Sequence, residues 1–352
     1  MSFTYRIEIQ LFMRFISILF LGFFYLIACN SVDKEDASLF FLKGNVQLTA
    51  KNYEQAIHYY DESILKNPDF ADAYLNRGLA LLATDKTEEA LSSLSNAIEK
   101  DDELFPAYLA RAEVYNRLAL WENVEKDLAE IQTLYADSSQ FHLIRGNFMV
   151  GKNNFSNALA AYDRAITLNP GNVEALVNRG AVFFENKEFE LAGKDFEQAV
   201  RLDPRQVQAL NNLGLLASRQ QNWSAALAYF DRALSVNAVD PFTLNNKGYV
   251  LLQTGKLDEA QTLINRSLSN KADNGYALRN LALYYQKKKD LIKAIEIYQK
   301  AIDLQQSVEL LFGYAGEAYF LNGNKIEACR TWSTGVTLKD SLAINSLNKY
   351  CN

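Results

Sequence analysis

Residues 173–206 read VEALVNRGAVFFENKEFELAGKDFEQAVRLDPRQ, and residues 207–240 read VQALNNLGLLASRQQNWSAALAYFDRALSVNAVD. Laid one over the other, they agree in kind where packing is decided: Gly180 over Gly214, Ala192 over Ala226, Phe196 over Phe230 and Ala199 over Ala233. Each stretch holds two apolar runs at helical spacing around a short polar break, at 186–188 and at 220–222, which is the pattern of a helical hairpin. Self-similarity at a fixed spacing is the mark of a repeat architecture.

Outward from this pair the 34-residue spacing continues without insertion or deletion, with units starting at 37, 71, 105, 139, 173, 207, 241, 275 and 309 and the last ending at Leu342. The eighth position is always small: Gly44, Gly78, Ala112, Gly146, Gly180, Gly214, Gly248, Ala282 and Gly316. The twentieth is Ala in every unit except the third, which has Val124. The twenty-fourth is large: Tyr60, Leu94, Leu128, Tyr162, Phe196, Phe230, Ile264, Tyr298 and Trp332. Gly inside a helix costs about 0.5–1 kcal/mol relative to Ala, so its recurrence implies a compensating close approach between the two helices of each hairpin. Pro68, Pro170 and Pro204 end second helices, and Asp240 followed by Pro241 starts a first helix. Unit three also carries Ile131 where others place Ala, Ser or Gly, so an irregular step is expected over 105–142.

This pattern resembles the tetratricopeptide repeat over 37–342. The resemblance implies an all-α fold, a right-handed superhelical solenoid of nine antiparallel helix pairs whose first helices line a concave groove. One hairpin cannot bury both faces alone, so stacked neighbours share one continuous core. Residues 343–352 begin a tenth first helix with Tyr350 at the eighth position, and are expected to cap the array.

Ahead of the repeats, Arg14 precedes an uncharged apolar run over 15–28, followed by Cys29 and a polar stretch. That is the order of a secretory signal. Leu26, Ile27, Ala28 and Cys29 resemble the lipobox of bacterial lipoproteins, which implies a signal over 1–28, lipidation of Cys29 and a tether over 29–36. An uncleaved signal anchor is the alternative, since 18 residues from Leu11 to Ala28 span about 27 Å as a helix. Met13, placed before Arg14, competes with Met1 as the start. The implied location is the bacterial envelope, on a membrane, with the outer membrane favoured.

A formal charge of -6 and no basic block exclude nucleic acid as a partner. His58 and His142 have no metal-spaced neighbours, and no phosphate-binding glycine loop or nucleophile motif is present, so no catalytic residue, metal, cofactor or small-molecule substrate is assigned. Cys329 and Cys351 are read either as buried thiols or as a disulfide.

Family geometry puts positions two, five, nine and twelve of each first helix on the groove wall. In units five to eight this gathers Phe184, Asn211, Leu215, Phe242, Asn245, Tyr249, Leu252 and Tyr276, joined by Asn212 at position six, as a candidate peptide groove, apolar and aromatic with interspersed amides. Arg279 falls on the same wall, and the Asn residues at position six (Asn76, Asn178, Asn212, Asn246, Asn280) bond either between repeats or to a bound backbone. Asn45 and Asn76 resemble the amide pair of the family's carboxylate clamp, but Phe41, Pro106 and Ala110 stand where its cations belong, which argues against that clamp. The expected function is a membrane-anchored scaffold for envelope proteins, with a structural spacer, or a catalytic or glycan-handling protein, as alternatives.

Overall fold

The computed structural model describes residues 34–351, which form only helices, turns and connecting loops. The signal segment and Cys29 lie outside the described residues, and residues 34–36, assigned above to the tether, already belong to the first helix, α1 (34–49).

The chain divides into two units. In Met1–Pro170, α1 pairs with α2 (Tyr53–Lys66), α3 (Ala71–Ala83) with α4 (Thr87–Lys100), α5 (Phe105–Arg117) with α6 (Trp121–Ile131), and α7 (Ser139–Gly151) with α8 (Phe155–Leu168). In Gly171–Asn352 the pairs are α9 (Val173–Glu185) with α10 (Phe189–Leu202), α11 (Val207–Arg219) with α12 (Trp223–Val236), and α13 (Pro241–Gln253) with α14 (Leu257–Asn270). They continue as α15 (Gly275–Lys287) with α16 (Leu291–Asp303) and α17 (Leu311–Leu321) with α18 (Lys325–Thr337), and α19 (Ser341–Tyr350) follows.

The 34-residue spacing recurs in the backbone. Lys51, Asp85, Ala119, Asn153, Lys187, Gln221, Gly255, Lys289 and Gly323 all adopt positive φ in the hairpin turns. Only two of these are Gly, the residue without a penalty there, so the turn is imposed by helix packing and not by local preference. Second helices close on an extended residue such as Asn67, Asn169 or Asp203, the conformation a following proline demands.

Packing explains the small eighth position. A Cβ on Gly180 would sit 2.7 Å from the Phe196 ring, and one on Gly78 would sit 2.7 Å from Leu94. The ring at position twenty-four therefore lies on bare backbone. In units one and four that ring is a tyrosine whose hydroxyl donates to the position-nine amide, Tyr60 to Asn45 and Tyr162 to Asn147, each at 2.8 Å. Unit eight has Ala282 instead of Gly, and there Tyr298 donates one turn further on, to Gln286 Oε1 at 2.9 Å.

Gly180→Ala is expected to destabilise the second unit by about 1–2 kcal/mol, because overpacking costs about 1–3 kcal/mol and exceeds the helix gain of about 0.5–1 kcal/mol. Adding Phe196→Leu should recover part of this, since unit three already combines Ala112 with Leu128. Urea denaturation of the two variants checks it, and a Gly180→Ala protein more stable than wild type would show that the ring has room to move.

Unit three departs from the pattern in a specific way. Val124 and Ile131 are fully buried, and α6 ends at Ile131 after 11 residues where α4 and α8 run for 14. The chain leaves through turns in which Tyr135 N–H donates to Ile131 O at 2.9 Å and Ser138 then caps α7.

Unit nine departs too. Its first helix starts at Leu311 rather than at residue 309, after a loop in which Gln305 and Leu310 take positive φ. The last helix begins at Ser341, two residues ahead of the expected 343, because Asp340 accepts from the backbone N–H groups of Leu342 and Ala343.

Candidate partner-binding face

The first helices of the second unit, α9, α11, α13, α15 and α17, pack side by side, and their outward side chains form one face. A cleft of about 280 Å³ opens on it, lined by Gln253 of α13, by Leu283, Gln286 and Lys287 of α15, and by Tyr314, Glu317 and Leu321 of α17. Its polar wall is organised by Gln286, which accepts from Tyr298 and donates to Glu317 at 3.1 Å.

The candidate groove residues divide into three groups. Phe242 and Tyr276, both at position two, are open to solvent at 52% and 39%. Phe184, Asn211, Asn212, Leu215 and Tyr249 are half-buried. Asn245 and Leu252 are interior, which corrects their placement on an open wall. Leu252 packs in the core with Leu283 of α15, and Asn245 accepts a hydrogen bond from Asn280 at 2.8 Å.

That bond belongs to a set that decides between the two readings of position six at Asn76, Asn246 and Asn280. Asn76 donates to Asn45 at 2.8 Å, and Asn246 donates to Asn211 at 3.0 Å. In units two, seven and eight the position-six amide thus joins the first helix to the one before it. Buried amides left unpaired cost about 1–3 kcal/mol, so these residues serve repeat register rather than a ligand's backbone. The Asn45–Asn76 pair is spent in the same way, with Tyr60 also donating to Asn45.

Four side chains outside the candidate groove list complete the face. Arg279, only 7% exposed, lies over the rings of Tyr249 and Tyr276 at 5.5 and 5.2 Å. Its Nε and Nη2 donate to Asn280 Oδ1, and its Nη1 donates to the Glu309 carbonyl at 2.6 Å. Burial, reinforced by the neighbouring Tyr249, pushes the Tyr314 phenol well above the ordinary range, so it stays protonated. Arg219, at the end of α11, lies over Phe184 and Phe189 at 5.7 and 4.8 Å and reaches Glu309 at 3.6 Å. Tyr314 meets Tyr249 two repeats away and Arg219 meets Glu309 three repeats away, and a periodic pattern carries no signal for such contacts.

Elsewhere the chemistry is structural. His142 bonds the Ala136 carbonyl at 2.9 Å, and His58 packs by Tyr59. Among the described residues no group of three or more His, Cys, Asp or Glu is placed to hold a metal ion. No described helix is long and apolar enough to cross a membrane. Cys329 and Cys351 are joined as a disulfide.

Two sequence profiles of the tetratricopeptide repeat match the chain, one at residues 41–108, 150–207 and 189–241 and the other at 240–307. The chain belongs to the tetratricopeptide repeat family. Among similar proteins, the STIP1 homolog of Dictyostelium discoideum is 32% identical over 96 residues, which is 27% of this chain and 17% of that protein. The human protein O-mannosyl-transferase TMTC3 is 29% identical over 172 residues, 45% of this chain and 19% of that protein. The chain therefore matches about a fifth of the length of these relatives. Among solved structures, the APC/C hetero-tetramer Cut9–Hcn1 superposes with a TM-score of 0.65 at 15% identity, covering 90% of this chain and 76% of that one. This likeness is one of fold. Family membership places the chain among protein-interaction repeats.

Proposed function

We propose that this repeat protein is a lipid-anchored scaffold of the bacterial envelope that holds an extended segment of a partner protein against the first-helix face of its second unit. The observation that carries the proposal is the exposure of Phe242 and Tyr276 on the same helices that open the cleft at their other ends. Large aromatic side chains dominate interface energetics when a partner desolvates them, and here they stand beside an apolar and amide surface. Of the candidate groove, Phe184, Asn211, Asn212, Leu215 and Tyr249 border that surface, whereas Asn245 and Leu252 support it from behind.

The envelope reading is supported by the apolar run and by Leu26, Ile27, Ala28 and Cys29. The Cys329–Cys351 disulfide supports it independently, since disulfides persist mainly in oxidising, extracytoplasmic compartments. Two acyl chains on Cys29 would hold the protein on a bilayer, at about 0.8 kcal/mol per buried methylene.

The test is cross-linking of the membrane-anchored chain followed by pull-down. Phe242→Ala with Tyr276→Ala is expected to cost at least about 2 kcal/mol of binding, roughly a thirtyfold loss of partner recovery, with helical circular dichroism unchanged. Tyr249 is unsuitable for this purpose, because its contacts to Tyr314 and Arg279 make its removal a structural change. In the same assay Cys29→Ala should move the chain from the membrane pellet to the soluble fraction. Wild-type recovery by the folded double variant would favour a spacer, and persistence of Cys29→Ala in the pellet would remove the lipid anchor.

A further inference from the structure

We propose that the first-helix face of the second unit recognises an acidic segment of its partner, and that Glu309 occupies the carboxylate position in the free protein as an internal stand-in. The inference rests on the partner-binding reading of that face and names the chemistry of the partner.

Arg219 supplies the cation. Its guanidinium is stacked over Phe184 and Phe189, which fixes the side chain while leaving donor groups free to point at a carboxylate. Three other cations of this unit are differently engaged. Arg179 is locked in a bidentate pair with Asp195, Lys247 is paired with Asp231 and Arg279 is buried. Arg219 meets only the Glu309 carboxylate, at 3.6 Å, a distance beyond hydrogen-bond contact, and both side chains are well exposed (41% and 59%). An exposed ion pair of that kind is weak, so an incoming carboxylate can displace it without disturbing the core.

The loop that carries Glu309 is held by its backbone. Arg279 Nη1 takes the Glu309 carbonyl, and Gln306 bonds both the Gly275 N–H at 3.1 Å and the Asp273 carbonyl at 2.9 Å. The non-glycine residues Gln305 and Leu310 are forced to positive φ on either side, a conformation that persists only when surroundings impose it. The backbone is thus pinned while the carboxylate stays replaceable. Because Arg219 ends α11 and Glu309 precedes α17, the pair bridges across α13 and α15, over the ground a bound segment would cover. The chain is acidic overall, at -6, so an acidic partner gains attraction from local cations, Arg219 and Lys287 on the cleft wall, rather than from the net charge.

The test uses the full chain in detergent, with two labelled extended peptides, one alternating Leu and Glu and the other alternating Leu and Gln, read by fluorescence anisotropy. Wild type should prefer the Glu peptide. Glu309→Gln should tighten the Glu peptide by about fivefold by removing the competitor, and leave the Gln peptide unchanged. Arg219→Gln should weaken the Glu peptide by about tenfold, and raised salt should do the same to wild type.

Equal binding of the two peptides, or an unchanged affinity in Glu309→Gln, overturns the acidic assignment and leaves the groove standing. If neither peptide binds any form, the assignment also falls. The pull-down of the Phe242 and Tyr276 variant then decides separately whether the face binds protein at all.

Discussion

Arg179→Met is expected to lower the stability of the α9–α10 hairpin by about 3–5 kcal/mol, because it strands a carboxylate inside the protein. Arg179 Nε and Nη2 donate to the two oxygens of Asp195 at 2.8 and 2.6 Å, and Asp195 is only 4% exposed. Parallel bonds of this type are stronger than neutral ones and fix geometry as well. Removing the cation leaves the desolvation cost of Asp195 with nothing to offset it. Removing both partners is a different matter: Arg179→Met with Asp195→Leu should come within about 1 kcal/mol of wild type, since apolar replacements of buried ion pairs are often neutral or better. A repeat array does not always unfold in one step, so hydrogen exchange of α9 and α10 is the measurement to use, with the single and double variants compared. A single variant that loses less than about 1 kcal/mol would mean that Asp195 finds water, contrary to its burial. The same arrangement recurs as Arg111 with Asp127, at 2.8 and 2.7 Å, and predicts the same outcome in α5–α6.

The ion pair illustrates what the sequence carries and what it hides. Helix starts at 71, 105, 139, 173, 207, 241 and 275 fall where the 34-residue spacing puts them, because every turn of that register is fixed by the same small and large residues. Arg179 and Asp195 sit at recurring positions, seven and twenty-three, but only units three and five have both members, so the pairing leaves no periodic trace. Unit nine starts late at Leu311 because tertiary contacts from Arg279 and Gly275 shape its entrance, and the residue at its N-cap, Leu310, has no side chain that could cap it.

The candidate groove was legible to the same extent. Position rules picked out Phe242 and Tyr276, which are exposed. They could not show that Leu252 is covered by α15, nor that Arg219 meets Glu309 and Tyr314 meets Tyr249 across repeats that are not neighbours. Those facts depend on how far one hairpin is rotated against the next, which is a sum of many small packing differences.

At the other end of the second unit, reduction of the Cys329–Cys351 bond is expected to release α19. The cysteines are 22 residues apart with Cα atoms separated by 5.8 Å, inside the ordinary disulfide range. Closing a loop of that size contributes about 3 kcal/mol in the chain-entropy account. The helix it secures has 10 residues, too few for independent stability in water. Its remaining hold includes the stack of Tyr350 on Trp332 and Phe320, at 5.8 and 4.6 Å, Ala343 buried against Gly335, Leu342 against Gly313, and its cap Asp340, which accepts from the Gly313 N–H at 2.8 Å. Trp332 in turn donates to the Gly313 carbonyl at 3.1 Å, so the loss should pass from α19 into α17 and α18. Coupling in such arrays runs mainly between neighbours, and α9 to α12 should keep their protection. Cys351→Ser, or reductant applied to Cys29→Ala so that the other thiol plays no part, should therefore speed amide exchange in α19 by about a hundredfold, the equivalent of about 3 kcal/mol. Exchange in α19 that is the same with and without the disulfide would show that the aromatic stack alone holds the cap, and in that case Tyr350→Ala becomes the variant that frees it.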